Sequence, residues 1–224
     1  MRHWLTPAVT LMNRLRFAQR IALIGLFFLL PLLVITYLLA EEIQTAYDFS
    51  AKERDGLAYS VPLRKLLAVA IAKRAGQATS GDMTQAIAQV DEANEKWGDT
   101  LALNEAWQAL KKKSAKGDDH AFVSELLAFM VQTADNSNLT LDPDVDSYYL
   151  MDITLLVLPP MQDRLQQVLA YGQQIVARET SSPEQQARLH GYVVLLKQSD
   201  MYRINVDAQA ALNEDPNFYG TSAS

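Results

Sequence analysis

The feature that most constrains this chain is an uncharged apolar run from Ile21 to Ala40, IALIGLFFLLPLLVITYLLA. Fourteen of its twenty residues are Leu, Ile, Phe or Val. A helix rises about 1.5 Å per residue, so the run is long enough to cross the roughly 30 Å hydrocarbon core of a bilayer. The alternative is a cleaved signal peptide, whose apolar region is usually shorter, about 7 to 15 residues, and is followed by a small-residue cleavage site. We interpret residues 21–40 as a transmembrane helix.

The charges on the two sides of this run are asymmetric. Residues 1–20 contain no acid, and their basic side chains are Arg2, Arg14, Arg16 and Arg20. Glu41, Glu42 and Asp48 follow the run. Because Lys and Arg are enriched on the cytoplasmic side of membrane helices, residues 1–20 are predicted to form a cytoplasmic basic segment. Residues 41–224 are then predicted to lie outside the cytoplasm.

Composition limits what the outer region can do. Residues 41–224 contain 16 Lys and Arg against 26 Asp and Glu, a balance of −10, which argues against nucleic acid as a partner. The chain has no cysteine, so disulfides, thiolate metal sites and cysteine nucleophiles are excluded. The sequence contains no phosphate-binding glycine loop, hydrolase elbow or HExxH motif. We therefore expect no enzymatic activity, cofactor or metal in this chain.

After the membrane run, apolar residues recur at helical spacing in several segments, and clusters of turn residues separate these segments. This pattern predicts an all-α fold in which one transmembrane helix continues into an antiparallel bundle of about five long helices. We expect a bend at Pro62 and a distortion at Pro159-Pro160. Ser182 with Pro183 is a typical helix start. The helices of the bundle are predicted at about 41–78, 83–113, 120–134, 147–179 and 183–213.

Three stretches carry a resemblance to a known group of proteins. They are KERDGLAYSVPLRKLL in the first outer helix, AKRAGQ at its end, and SNLTLDPDVDSYYLMD before the fourth, of which DSYYLMD is the most specific. With the basic-flanked anchor, they resemble the N-terminal sensing region of bacterial transmembrane receptors. These are the methyl-accepting chemotaxis receptors, and the sensor histidine kinases or diguanylate cyclases that share such input domains.

The resemblance implies a periplasmic domain that binds a small molecule and relays its binding across the bacterial inner membrane, most simply for chemotaxis. The alternatives are the input domain of a histidine kinase or cyclase, and a membrane-anchored helical scaffold that binds a partner protein. In those families a second membrane helix, a HAMP module and an output domain follow, and such domains pair as homodimers. No segment after Asp200 is apolar enough to be that second span. We therefore expect residues 41–224 to be an incomplete sensing domain whose output chemistry lies beyond this chain.

Asp152 is the sharpest candidate site residue, because the sequence around it, YYLMDITLLVLPPM, is almost entirely apolar. A carboxylate in such surroundings needs a partner. We predict a cluster of Asp152 with Arg74, Tyr148 and Tyr149, either as a buried brace or as the floor of a ligand site, with Arg64 as an alternative partner. Two further residues could line the same pocket or simply end a helix, namely Asn136 and Asn138.

The alternating aspartates of DPDVD invite a calcium interpretation. An EF-hand loop starting at Asp142 needs glycine at its sixth position and glutamate at its twelfth, where this chain has Ser147 and Ile153. We therefore interpret Asp142 and Asp144 as turn residues and place a helix cap at Asp146 or Ser147. Two isolated histidines, His120 and His190, are expected at the surface, and Trp97 and Trp107 in the core.

Overall fold

The computed structural model describes residues 15–115, 117–177 and 182–218. Within these ranges the chain is all-α, as predicted, and forms six helices. The first four are α1, Phe17–Arg74; α2, Ser80–Trp97; α3, Asn104–Ser114; and α4, Asp119–Asn136. Helix α5 comprises Val145–Met151, a π-helical segment Asp152–Val157 and Leu158–Ala177. Helix α6 comprises Pro183–Val194, a π-helical segment Leu195–Met201 and Tyr202–Phe218.

Two compact units, Met1–Ser50 and Ala51–Ser224, divide the chain within α1. In the first unit the apolar side chains of the 21–40 run are exposed, for example Phe28 at 76% and Leu33 at 67%. Among the described residues, α1 is the one helix long and apolar enough to cross a membrane. By its length and composition α1 therefore contains a candidate membrane span, in agreement with the prediction for residues 21–40.

The second unit is organised around an apolar core supplied by α1, α2, α3 and α4. Tyr59, Leu63 and Leu66 of α1 are completely buried in it. Trp107 of α3 is also completely buried, and its indole Nε1 donates to Asp91 at 2.8 Å. The predicted core position of Trp107 is confirmed, and Trp97 packs partly buried against the same cluster. A smaller cluster joins the end of α4 to the first part of α5 through Ala134, Leu139, Met151 and Leu155.

The predicted single helix from Met83 to Lys113 is wrong, because residues 98–103 separate α2 from α3. A Cβ at Gly98 would collide with the carbonyl oxygen of Asn94 and the side chain of Asn104, so the chain needs glycine there. Ala102 has a left-handed φ of 51°. Leu101 is 1% exposed, so the connection itself contributes to the core. The apolar stripe that predicted one helix therefore runs through a buried turn.

Other helix boundaries follow their sequence signals. Asp118 caps α4 by accepting from the backbone N–H of Ala121 at 3.0 Å. Ser182 caps α6 by accepting from Gln185 N–H at 3.2 Å, and Pro183 is the first helical residue, as predicted. Helix α1 passes through Pro62 without ending. Pro159-Pro160 lie in the α-helical part of α5, and the π-helical segment 152–157 ends two residues before Pro159.

Candidate functional site

Asp152 is buried and ion-paired, as its apolar sequence context predicts. It is 3% exposed. Arg203 of α6 donates two hydrogen bonds to it, from Nε to Oδ2 at 2.8 Å and from Nη2 to Oδ1 at 2.5 Å. The predicted partners are wrong. Arg64 is exposed, and Arg74 instead pairs with Asp163 in a contact where both side chains are largely buried. Asp152 therefore joins α5 to α6 rather than to α1.

A second carboxyl group lies beside this pair. Asp207 of α6 is 7% exposed, and its Oδ2 is 3.7 Å from Nε of Arg203. Burial raises the pKa of Asp207 and the neighbouring Asp152 carboxylate raises it further, whereas Arg203 lowers it. One guanidinium thus serves two buried carboxyls, an arrangement that favours retention of a proton on Asp207.

Each π-helical segment carries a buried aspartate held by an arginine of the other helix. Asp152 is the first residue of the segment in α5, and Asp200 lies in the segment of α6, where Arg164 of α5 pairs with it. The two ion pairs fix how α5 packs against α6. π-helical turns often occur where a side chain is placed for function. Whether Asp152 also serves a ligand stays a prediction.

The other residues predicted around Asp152 are only partly brought together. The rings of Tyr148 and Tyr149 meet edge to face with centroids 5.6 Å apart, one turn before Asp152. Asn136 instead donates to the carbonyl oxygen of Leu101 at 2.8 Å and so ties the α2–α3 connection to α4. Asn138 has a left-handed φ of 66° and precedes a short 3₁₀ turn, Leu139–Leu141.

The DPDVD stretch forms a turn with internal hydrogen bonds. Asp142 accepts from the backbone N–H of Asp144 at 2.9 Å and from the hydroxyl of Ser147 at 2.6 Å, and Asp146 accepts from Ser147 N–H at 2.8 Å. Asp144 occupies the N-cap position of α5, so the helix begins earlier than the predicted cap at Asp146 or Ser147. Among the described residues no group of three His, Cys, Asp or Glu is placed to hold a metal ion.

A cavity of about 360 Å³ lies at the C-terminal end of α1. Helices α1, α4, α5 and α6 all contribute to its wall, and its volume falls in the range typical of small-molecule sites. Of the residues that line it, the sequence analysis named only Arg74 as a candidate site residue. His120 was expected at the surface, and it is exposed at the edge of the cavity. The side chains that line it are those of Arg74, Ala75, His120, Gln166, Gln167, Ala170, Tyr171, Gln174, Arg188 and Tyr192.

Arg188 is positioned in this wall by two tyrosines. Its guanidinium carbon lies 4.9 Å from the ring centroid of Tyr171 and 5.9 Å from that of Tyr192, and it donates to the Tyr192 hydroxyl at 3.4 Å. The Arg188–Tyr192 spacing of four residues on one helix, with Tyr171 on the preceding helix, is a signal that could have drawn attention to this place.

Two other depressions are less specific. One of about 590 Å³ is lined by α3 alone, and one of about 490 Å³ lies between α1 and α5 and is lined mostly by Ala, Leu and Gln side chains. Neither is lined by arginine or an aromatic side chain. The cavity at Arg188 is therefore the better candidate site, although it is smaller.

Comparison of the chain with known protein families, with curated proteins and with solved structures gives no match to any of them.

Proposed function

We propose that this chain is the extracytoplasmic ligand-sensing input region of a bacterial signal-transduction receptor, anchored in the inner membrane by α1. The observation that carries the proposal is the composition of that one helix. Helix α1 contains the uncharged run 21–40, then supplies core residues from Tyr59 to Ile71, and ends at Arg74 in the wall of the cavity. A ligand in the cavity therefore touches the helix that carries the membrane run.

A relay of this kind needs two arrangements of the helices that a ligand binds with different affinity. The cavity is shared by α1, α4, α5 and α6, so occupation changes the contacts among helices rather than within one of them. The Arg74–Asp163 pair links α1 to α5 at the cavity wall. It provides a direct mechanical connection between a bound molecule and α1.

The proposed receptor functions as a homodimer, with chemotaxis as the simplest output and a histidine kinase or cyclase as the alternative. Support for pairing comes from an apolar stripe on α5. Its members lie on one face at spacings of seven, four and seven residues, and each is between 43% and 78% exposed. The stripe consists of Leu158, Leu165, Leu169 and Val176.

The competing proposal is a membrane-anchored scaffold that binds a partner protein and no small molecule. A thermal-shift screen of the full chain in detergent separates the two, with amino acids, organic acids and inorganic anions as probes. A receptor is expected to be stabilised by at least one probe, because a ligand at a hundred times its Kd adds about 2.7 kcal/mol. A melting temperature unmoved by every probe would favour the scaffold.

A further inference from the structure

The side chains that line the cavity at Arg188 indicate which class of ligand it binds. This inference rests on the proposed sensing function. We propose that this cavity binds a small organic acid through its carboxylate, with Arg188 as the residue that holds it. Two arginines and no acidic side chain line the cavity within the described part of the chain.

The two arginines are not equivalent. Arg74 is paired with Asp163, which also accepts from Nε2 of Gln167 at 2.8 Å, so the charge of Arg74 is already matched by a carboxylate. Arg188 is exposed and makes no ion pair within the described residues. The positive charge available to a ligand therefore comes from Arg188.

The tyrosines orient this charge. A guanidinium is planar, and its paired N–H donors match the two oxygens of a carboxylate. The contact with the Tyr171 ring and the hydrogen bond to Tyr192 reduce the side-chain freedom that Arg188 would lose on binding. The same fork also matches two oxygens of a phosphate. In the part of the chain that the structure describes, the cavity offers one unpaired cation, Arg188, which balances the single charge of a carboxylate group but not the higher charge of phosphate.

The rest of the lining suits the remainder of such a molecule. The amides of Gln166 and Gln174 and the hydroxyl of Tyr192 are neutral groups that both donate and accept, and Ala170 adds apolar surface. A cavity of about 360 Å³ is at the small end of ligand sites. Both features fit an organic acid of low molecular mass.

The test is calorimetric titration of the full chain in detergent at low ionic strength with succinate, benzoate and inorganic phosphate. We expect saturable binding of at least one carboxylate. Arg188→Gln is expected to abolish this binding, and Arg188→Lys, which keeps the charge and loses the planar fork, to weaken it about tenfold or more. The control is Arg54→Gln, which removes an exposed arginine of α1 away from the cavity and should leave the affinity unchanged.

Each contrary result has a defined meaning. Absence of saturable carboxylate binding, or equal binding by wild type and Arg188→Gln, overturns the proposal. Phosphate binding tighter than that of both carboxylates replaces it with a general oxyanion site. A thermal-shift hit among the other probes that does not depend on Arg188 leaves the sensing function standing and removes only the ligand class. Circular dichroism of each variant checks that its helices are retained.

Discussion

At the scale of single residues, Arg203 is predicted to matter more for stability than its partner Asp152. Removal of Arg203 leaves two buried carboxyls, Asp152 and Asp207, without a cation, whereas removal of Asp152 leaves Arg203 half exposed and still near Asp207. We expect Arg203→Met to cost about 2–3 kcal/mol of unfolding free energy and Asp152→Asn about 1 kcal/mol. Urea denaturation at neutral pH, followed by helicity, measures both.

The control for this pair is Arg54→Met, which alters an exposed arginine and is expected to change stability by less than about 0.5 kcal/mol. A greater loss for Asp152→Asn than for Arg203→Met would contradict the interpretation that Asp207 depends on the same guanidinium.

The raised pKa of Asp207 predicts a pH dependence of stability. The native chain holds this proton to a higher pH than the unfolded chain does, so the contribution of the protonated carboxyl is present at low pH. It is lost as the pH rises from the ordinary value of 3.8 through the raised native pKa. Asp207→Asn cannot lose a proton, and it is therefore expected to gain stability relative to wild type as the pH rises through that window.

This comparison is made with urea midpoints at a series of pH values. Burial, together with Asp142 and Asp144, also raises the pKa of Glu53, but Glu53 is present in both proteins and cancels in the difference. If the difference in unfolding free energy between wild type and Asp207→Asn were the same at every pH above 3.8, the pKa of Asp207 would not be raised in the folded chain.

The sequence was informative about Asp152 up to a definite point. An aspartate inside YYLMDITLLVLPPM must be partnered, and that prediction needs only the cost of burying a charge. Its partner could not be chosen from the sequence, because Arg74, Arg64 and Arg203 differ only in where the helices place them. The cavity was missed for a similar reason. Arg188 and Tyr171 become neighbours only when α5 and α6 pack together.

At the scale of helices, two glycines provide a matched test of packing. Gly56 of α1 is buried, and a Cβ there would collide with the side chain of Ser137, whereas a Cβ at Gly191 of α6 meets open space. We expect Gly56→Ala to destabilise by about 1–3 kcal/mol, because the two segments must move apart. Gly191→Ala is expected to stabilise by up to about 1 kcal/mol, the ordinary helix preference for alanine.

Urea denaturation of the two variants gives the comparison directly. If Gly56→Ala were as stable as wild type, the close contact between α1 and the end of α4 would be wrong.

Helix boundaries were predictable where a side chain acts locally and not where tertiary packing decides. Ser182 and Pro183 predict the start of α6, because the cap and the fixed φ of proline both act within one turn of the helix. Gly98-Asp99 indicated a weak point between α2 and α3, but Leu101 continues the apolar stripe while lying in a buried turn, so the sequence still favoured one helix. Likewise, no sequence signal predicted the π-helical segment 152–157.

At the scale of the whole molecule, the stripe on α5 predicts self-association. Leu165 and Leu169 are 47% and 50% exposed, so charges placed there should not disturb the core. We expect the double variant Leu165→Glu, Leu169→Glu to be monomeric and the wild type dimeric when the mass in detergent is measured by light scattering. Gln108→Glu, at an exposed position on α3, serves as the control. A monomeric wild type, or a double variant that still pairs, would contradict the proposed dimer.

The central claim is that residues 21–40 cross a membrane and place the helical bundle on its outer side. The chain has no cysteine, so one introduced thiol reports its own location. Gln108 of α3 and Ala18, before the apolar run, are both exposed. In spheroplasts, an impermeant maleimide is expected to label Gln108→Cys at once and Ala18→Cys only after the membrane is disrupted. The opposite labelling, or recovery of the chain in the soluble fraction, would contradict the account.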